Sequence, residues 1–343
     1  MKSAWKAFLV DQGAEFENDR LVSFGNPNME RRISPQGAVL SNLSDRGLLE
    51  VSGADAVSFL QNQLTNDITK IDPKTHQLTA WCNPKGRVIA NFRAFMRGES
   101  IFLILSKDLI ETVLPKLSRY VMMSKVTITD ATDMLVHFGY AGENAEQDLT
   151  RILDYVPTAP NETLQLGNLS ILRLPGETPR FEVFGDISSC SDLWSKCNVR
   201  AAPVSSQAWD FMNIRAGRPV VTAESTEAWI PQMLNLTYVD GVDFKKGCYP
   251  GQEVVARLKY LGKSKRRMFH LQFETDKVPA CNASIVTADG TEAGKVLNAV
   301  LNPDDVIECL AVLKIADTEN PLFLDSPEGP AVSLLELPYS VED

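Results

Sequence analysis

Lys245-Lys246-Gly247-Cys248-Tyr249-Pro250-Gly251-Gln252-Glu253-Val254-Val255-Ala256-Arg257-Leu258-Lys259-Tyr260-Leu261-Gly262-Lys263-Ser264-Lys265-Arg266-Arg267 is the most informative stretch of the chain. Eight of its residues are basic and one, Glu253, is acidic, so it carries a net +7. The chain as a whole has 34 Lys and Arg against 44 Asp and Glu, a formal charge of −10. A charge run is as often a solvated face as a site. As a site, this one suits an anion: a phosphate, a polyglutamate or an RNA backbone. A cysteine is ordinarily a small buried hydrophobe. Cys248 differs, because it follows two lysines, and neighbouring cations favour a thiolate over a thiol. Gly247 and Gly251 permit close backbone approach, and Pro250 stiffens the turn. Helical spacing after the turn puts Glu253 and Arg257 four apart on one face.

Outward from this segment, the 343 residues predict two or three domains. Hydrophobic residues at 44% and charged residues at 23% are ordinary for a globular protein and exclude wholesale disorder. No apolar run reaches 18 residues, so no membrane span is expected. The first eleven residues do not resemble a signal peptide. The cysteines, Cys82, Cys190, Cys197, Cys248, Cys281 and Cys309, are sparse and contain no CxxC pair. That usage fits a reducing compartment, the cytoplasm or an equivalent matrix. With only His76, His137 and His270 beside them, no preformed metal site is expected within one chain.

Residues 11–45 are rich in turns, with Gly25-Asn26-Pro27-Asn28 and Ser34-Pro35-Gln36-Gly37, and are expected to hold short strands. Asp55 is a candidate start for a helix through Phe59, Leu60 and Leu64. Asn83-Pro84-Lys85-Gly86 reads as a hairpin turn before the strand Val88 to Phe95, with Ile101 to Leu105 as its neighbour. Lys107 to Tyr120 has a helical pattern that Pro115 is expected to bend. Further strands are read at 126–128, 135–140, 169–174 and 181–184. A helix follows from Ser206 to near Gly217. Beyond Arg267, short apolar runs between turns predict a small all-β domain. Strands and helices mix without strict alternation, so the fold class is α+β rather than a doubly wound parallel sheet.

Lys246-Gly247-Cys248-Tyr249 followed by Gly251-Gln252-Glu253 resembles the signature of the YgfZ family of folate-binding proteins. These are relatives of the glycine-cleavage aminomethyltransferase, or T-protein. Trp229-Ile230-Pro231-Gln232 with Asn235-Leu236 looks like the family's lead-in. Asn83-Pro84-Lys85-Gly86-Arg87 matches its hairpin, and Pro338-Tyr339-Ser340 also fits. The resemblance runs from about residue 40 to the end. It implies a T-protein-like arrangement of two interlocked ferredoxin-like domains and a small C-terminal β-barrel around a central folate channel. The expected spans are 1–130, 131–265 and 266–343, with the first two interleaved.

The same resemblance implies a reduced folate, such as tetrahydrofolate, as cofactor. It implies an accessory role for iron–sulfur proteins, including enzymes that methylthiolate tRNA, and hence a part in tRNA modification. Trp209, ahead of Ala216-Gly217-Arg218-Pro219, matches a folate-stacking tryptophan. Arg46 stands where some relatives have a second one, and a guanidinium there can stack or pair with a glutamate tail. Cys248 is the expected thiolate, with Lys246 and its neighbours favouring that form and attracting anionic tails. Gly247, Tyr249, Gly251, Gln252, Glu253 and Arg257 are expected to order the turn. One cysteine cannot hold a cluster alone, so other ligands must come from a partner or a small thiol.

Two rival readings belong to different classes. A one-carbon transferase of the T-protein kind is expected to carry an aspartate in the strand after the hairpin. Ala90 and Asn91 stand there, and neither accepts a proton at neutral pH. Arg180-Phe181-Glu182-Val183-Phe184-Gly185-Asp186 also lacks the Tyr-Thr-Gly-Glu pattern of those enzymes. The other rival is an RNA-binding module that contacts tRNA through Lys245–Arg267, with binding that weakens steeply in salt.

Overall fold

The computed structural model describes residues 1–34 and 37–341. Its first sheet has five strands, in the order His76–Cys82, Val88–Arg97, Ser100–Ser106, Arg46–Ser52 and Thr127–Asp130, all antiparallel. The Asn83–Gly86 turn closes the first hairpin, with Gly86 at φ +71° and its N–H on the Asn83 carbonyl. Helices Ala56–Gln61 and Ile110–Ser118 cover the sheet, burying Phe59, Leu60, Val113 and Leu117 against Leu49 and Val51. The helix expected over Lys107–Tyr120 is shorter at its end and begins with a 3-10 turn, Lys107–Leu109, and Pro115 lies inside its helical part.

The second sheet runs Thr163–Leu166, Leu169–Leu174, Arg180–Gly185, Val136–Ala141, Val39–Asn42 and Ala202–Val204. Only the last strand is parallel to its neighbour. The chain therefore leaves the second sheet at Asn42 and enters the first at Arg46. Every residue of Leu169–Leu174, Arg180–Gly185 and Val136–Ala141 is buried, as befits strands covered on both faces. One face packs on helices Ser3–Asp11 and Ile187–Cys197 through Trp5, Leu9 and Trp194. The other meets the first sheet through Phe95, Phe102 and Ile104 against Leu172, Leu174 and Phe184, with helix Ser206–Arg215 at the seam.

Asn26-Pro27 proves to be a helix start rather than a loop between strands. The Asn26 carboxamide accepts the Met29 N–H, and Pro27 opens the helix Pro27–Ile33. Pro35 and Gln36, the middle of the second expected turn, lie outside the described residues.

The C-terminal region is a closed six-stranded barrel, in the order Arg266–Phe273, Ile307–Lys314, Glu292–Leu301, Ser284–Thr287, Leu322–Leu324 and Ala331–Leu335. Leu271, Ile285, Val296 and Leu313 fill it. Its outer wall, with Met268, Leu310 and Val312, continues the core of the first sheet. The α+β class with a terminal barrel, expected from the sequence, is the fold observed.

Candidate functional site

The cysteine turn is built by a close approach of two backbones. Gly251, at φ +81°, begins the helix Gln252–Leu261, and a Cβ there would stand 2.4 Å from the Asn83 carbonyl oxygen and 2.6 Å from Gly86 Cα. The Asn83–Gly86 hairpin and the cysteine segment thus lock through two glycines. Gly247 differs, since a Cβ there would meet open space. Gln252 folds back over the turn. Its Oε1 accepts the Tyr249 N–H at 3.1 Å, and its Nε2 lies 3.5 Å from Cys248 Sγ, at donating distance. Cys248 is exposed at the surface, whereas Cys82, Cys190, Cys197 and Cys309 are buried. Glu253 and Arg257 share the outer face of the helix with no ion pair between them among the described residues.

The Lys246 ammonium turns inward. It donates to the carbonyls of Gln61 at 2.6 Å, Asn66 at 3.0 Å and Leu64. All three of its protons are thereby committed to the loop after helix Ala56–Gln61. Burial pulls its pKa down to about 8, against the attraction of Asp67 and Asp243. The ammonium also lies 5.3 Å from the ring centroid of Tyr249, whose hydroxyl burial pushes up. Lys246 therefore anchors the turn from beneath.

A second cluster, not foreseen from the sequence, lies at the seam between the two sheets. Arg93 comes from the first sheet, Arg180 and Glu182 from the second, and Arg218 from the turn after helix Ser206–Arg215. Arg93 and Arg180 bear on the Glu182 carboxylate and Arg218 on both guanidiniums, whereas Arg173 lies on the other face of the sheet, 5.1 Å from the Phe181 ring centroid. Burial and the repulsion of Arg93 and Arg218 push Arg180 down to about 9. Burial and Arg93 push Arg218 down to about 10, and burial also lowers Arg93 and Arg173. Arginine keeps its proton under such pressure; burial is the main cause of each shift, and at Arg180 and Arg218 a shortage of negative charge among neighbouring guanidiniums adds to it.

His76 does not relieve that shortage. Burial and Arg93 hold it near 3, hence neutral, with Nδ1 accepting from Arg93 at 3.1 Å and Nε2 3.0 Å from the Arg173 carbonyl. Burial alone would raise the Glu182 carboxyl, but His137, Arg93 and the Trp209 N–H outweigh it and hold it at about 2. Its Oε1 accepts from Trp209 Nε1 at 3.3 Å. Its Oε2 stands 3.5 Å from His137 Nε2, an ion-pair separation, and accepts no hydrogen bond among the described residues. The Nε of Arg218 is likewise buried without an acceptor among the described residues.

Trp209 belongs to this cluster. It is 1% exposed, with its six-membered ring against Gly139, where a Cβ would lie 2.4 Å from the indole. Its ring is therefore packed in the interior rather than offered at the surface. Arg46 pairs with Asp210, the residue after Trp209, and, at 3.6 Å, with Asp45. Burial would lower its pKa, but these carboxylates and Glu182 outweigh it and raise it. Asn91 is spent on structure. Its Nδ2 donates to the Pro219 carbonyl at 2.8 Å and its Oδ1 accepts the Val221 N–H at 2.9 Å. The Trp229–Gln232 lead-in meets the helix after the cysteine, where Gln232 Nε2 donates to the Val255 carbonyl, and the C-terminal Tyr339 hydroxyl donates to the carbonyl of Gly217.

The sequence carried a signal for the interior cluster. Arg180 and Glu182 alternate with Phe181 and Val183 in one strand. Charges inside continuous apolar strands are buried charges and need partners. Among the described residues, no group of three or more His, Cys, Asp or Glu side chains converges as a metal site. No helix among them is long and apolar enough to cross a membrane.

The fold is that of the glycine-cleavage T-proteins. The structure superposes on the glycine cleavage system aminomethyltransferase T of Bartonella henselae with a TM-score of 0.81, covering 98% of this chain and 96% of that one at 17% identity. Residues 12–170 match the model of the GCVT N-terminal domain. Closer in sequence are the tRNA-modifying proteins YgfZ. That of Yersinia pseudotuberculosis (strain IP 31758) is 35% identical over 309 residues, 89% of this chain and 93% of the relative. That of Enterobacter sp. (strain 638) is 32% identical over 307 residues, 89% and 94%. The chain belongs to the YgfZ family.

Proposed function

We propose that this protein is a folate-binding factor of the cytoplasm that supports tRNA modification by iron–sulfur enzymes. The observation that carries this reading is the half-satisfied interior cluster. A buried carboxylate with one free oxygen is the complement of the 2-amino-4-oxo edge of a pterin, which offers two adjacent N–H donors. Guanidiniums short of negative charge suit the carboxylates of a folate glutamate tail. Glu182, beside Trp209 and His137, is the group to hold the ring, and Arg93 and Arg218 are those to hold the tail. A reduced folate supplies a ring nitrogen pair that carries one-carbon units. The residues around it bind and orient it and keep water out.

The relatives' name, tRNA-modifying protein, supplies the tRNA side of the reading. Cys248, on the surface at the start of a helix, is the group that meets a client enzyme. A cluster passing that thiolate is cargo, and its other ligands come from the client or a small thiol. Ala90 and the committed Asn91 argue against aminomethyl transfer, because neither handles a proton.

The test is complementation. Cells lacking this protein are expected to lose methylthiolated tRNA nucleosides, measured by mass spectrometry. Wild type restores them, and Cys248→Ala and Glu182→Gln do not. If both variants restore the nucleosides to the wild-type level, the reading is wrong.

A further inference from the structure

The helix Gln252–Leu261 is ten residues long and buries one side chain, Val255. Helices of this length draw their stability from a packed face rather than from propensity. Here the outer face holds Val254, Arg257, Tyr260 and Leu261. Tyr260 is 67% and Leu261 83% exposed. Phe244 meets Tyr260 edge-on, with ring centroids 6.1 Å apart, and the Lys259 ammonium lies 5.8 Å from the Phe244 ring. Lys263 and Lys265 follow the helix, and Lys85 stands exposed on the hairpin whose Gly86 touches Val254.

None of Lys85, Arg257, Lys259, Lys263 and Lys265 makes an ion pair among the described residues. Lysines at and beyond a helix C-terminus favour the helix dipole, but that role accounts neither for the exposed ring nor for Arg257 and Lys85. In a chain of net charge −10, a concentration of free cations around an exposed aromatic matches nucleic acid better than protein. Arg257 and Tyr260 are three residues apart and so are neighbours on the helix surface. The open face of such a ring is a stacking platform for an unstacked base, and bases of that kind occur in loops and single strands.

We propose that this face binds an unpaired RNA loop. Tyr260 stacks on a base, while Arg257, Lys259, Lys263 and Lys265 contact the flanking phosphates. This goes beyond the folate reading and does not depend on it. The interior cluster and the helix are separate sites, and each can fail alone.

The test is fluorescence anisotropy with a labelled RNA stem-loop and with a blunt duplex of the same stem. The wild type is expected to bind the stem-loop more tightly than the duplex. Affinity is expected to fall with salt at a log–log slope of about −3, as for four single-strand phosphate contacts. Tyr260→Ala should weaken the stem-loop about tenfold or more and leave the duplex unchanged, whereas Tyr260→Phe keeps both. The double variant Lys259→Glu/Lys263→Glu should weaken both RNAs at least tenfold. Folate titration and circular dichroism of the same variants establish that they are folded. No binding at 50 mM salt, or equal affinity of wild type and double variant, overturns the proposal. So does concentration-dependent self-association that Tyr260→Ala abolishes in the absence of RNA, because the face would then belong to a second copy.

Discussion

Two buried carboxylates in this molecule have opposite surroundings. Glu308, on the barrel, is fully served. It pairs with His270 Nε2 at 3.0 Å and with Arg215 at 2.9 Å, and it accepts from Asn302 Nδ2 at 3.0 Å. Glu182, at the seam of the sheets, has one weakly held oxygen, a 3.5 Å histidine and too many guanidiniums around it. Burial would raise both carboxyls, and in both cases the partners win and hold them at about 2. The difference lies in what is left over. Nothing is left over at Glu308, so that cluster ties the barrel to helix Ser206–Arg215. At Glu182 one carboxylate oxygen and the Arg218 Nε stay without a partner among the described residues, and that remainder is what the proposed folate would take up.

The largest expected effect falls on the closed cluster. Glu308→Ala leaves His270, Arg215 and Asn302 without an acceptor, and urea unfolding should show a loss of about 3–5 kcal/mol. The pH dependence has a definite sign. Glu308 is held at about 2 when folded, below the roughly 4.3 of an unfolded glutamate. Its contribution is complete above the unfolded value and is lost as pH falls toward the folded one. Thermal stability should therefore drop between about pH 5 and 3, and Glu308→Gln should flatten that drop. An unchanged acid profile in Glu308→Gln would remove the distinction between the two clusters.

The open cluster should behave the other way. Arg218→Met removes one unmatched charge at similar volume. Without ligand the variant should unfold at the same urea concentration as wild type or up to about 1 kcal/mol later. Its affinity for folate should fall about tenfold, the scale of one lost charge-assisted hydrogen bond. A clear loss of stability in the free protein would mean that Arg218 is structural.

Much of the fold was legible because its signals are local. Asn83-Pro84-Lys85-Gly86 gave the hairpin, and the alternation after Arg267 gave the barrel. Helix Ile187–Cys197 was passed over, although Asp186 caps it and Ile187, Cys190, Trp194 and Cys197 recur at helical spacing. The site was legible in its chemistry and not in its geometry. Lys246 and Cys248 are close in sequence, yet the lysine turns inward to three carbonyls while the cysteine faces out. No spacing rule carries that information, because it depends on where the loop after residue 61 lies. The interior cluster draws on both sheets and the turn after Gly217, so its convergence is a product of topology. Only the odd placement of Arg180 and Glu182 inside an apolar strand announced it.

The most direct measurement is calorimetric titration with tetrahydrofolate of wild type, Glu182→Gln and Glu308→Gln side by side. Wild type should bind saturably. Glu182→Gln should bind at least tenfold more weakly, and Glu308→Gln should bind as wild type does despite its lower stability. Absence of binding by wild type, or equal affinity of wild type and Glu182→Gln, would contradict the claim that the open cluster at the seam is the folate site.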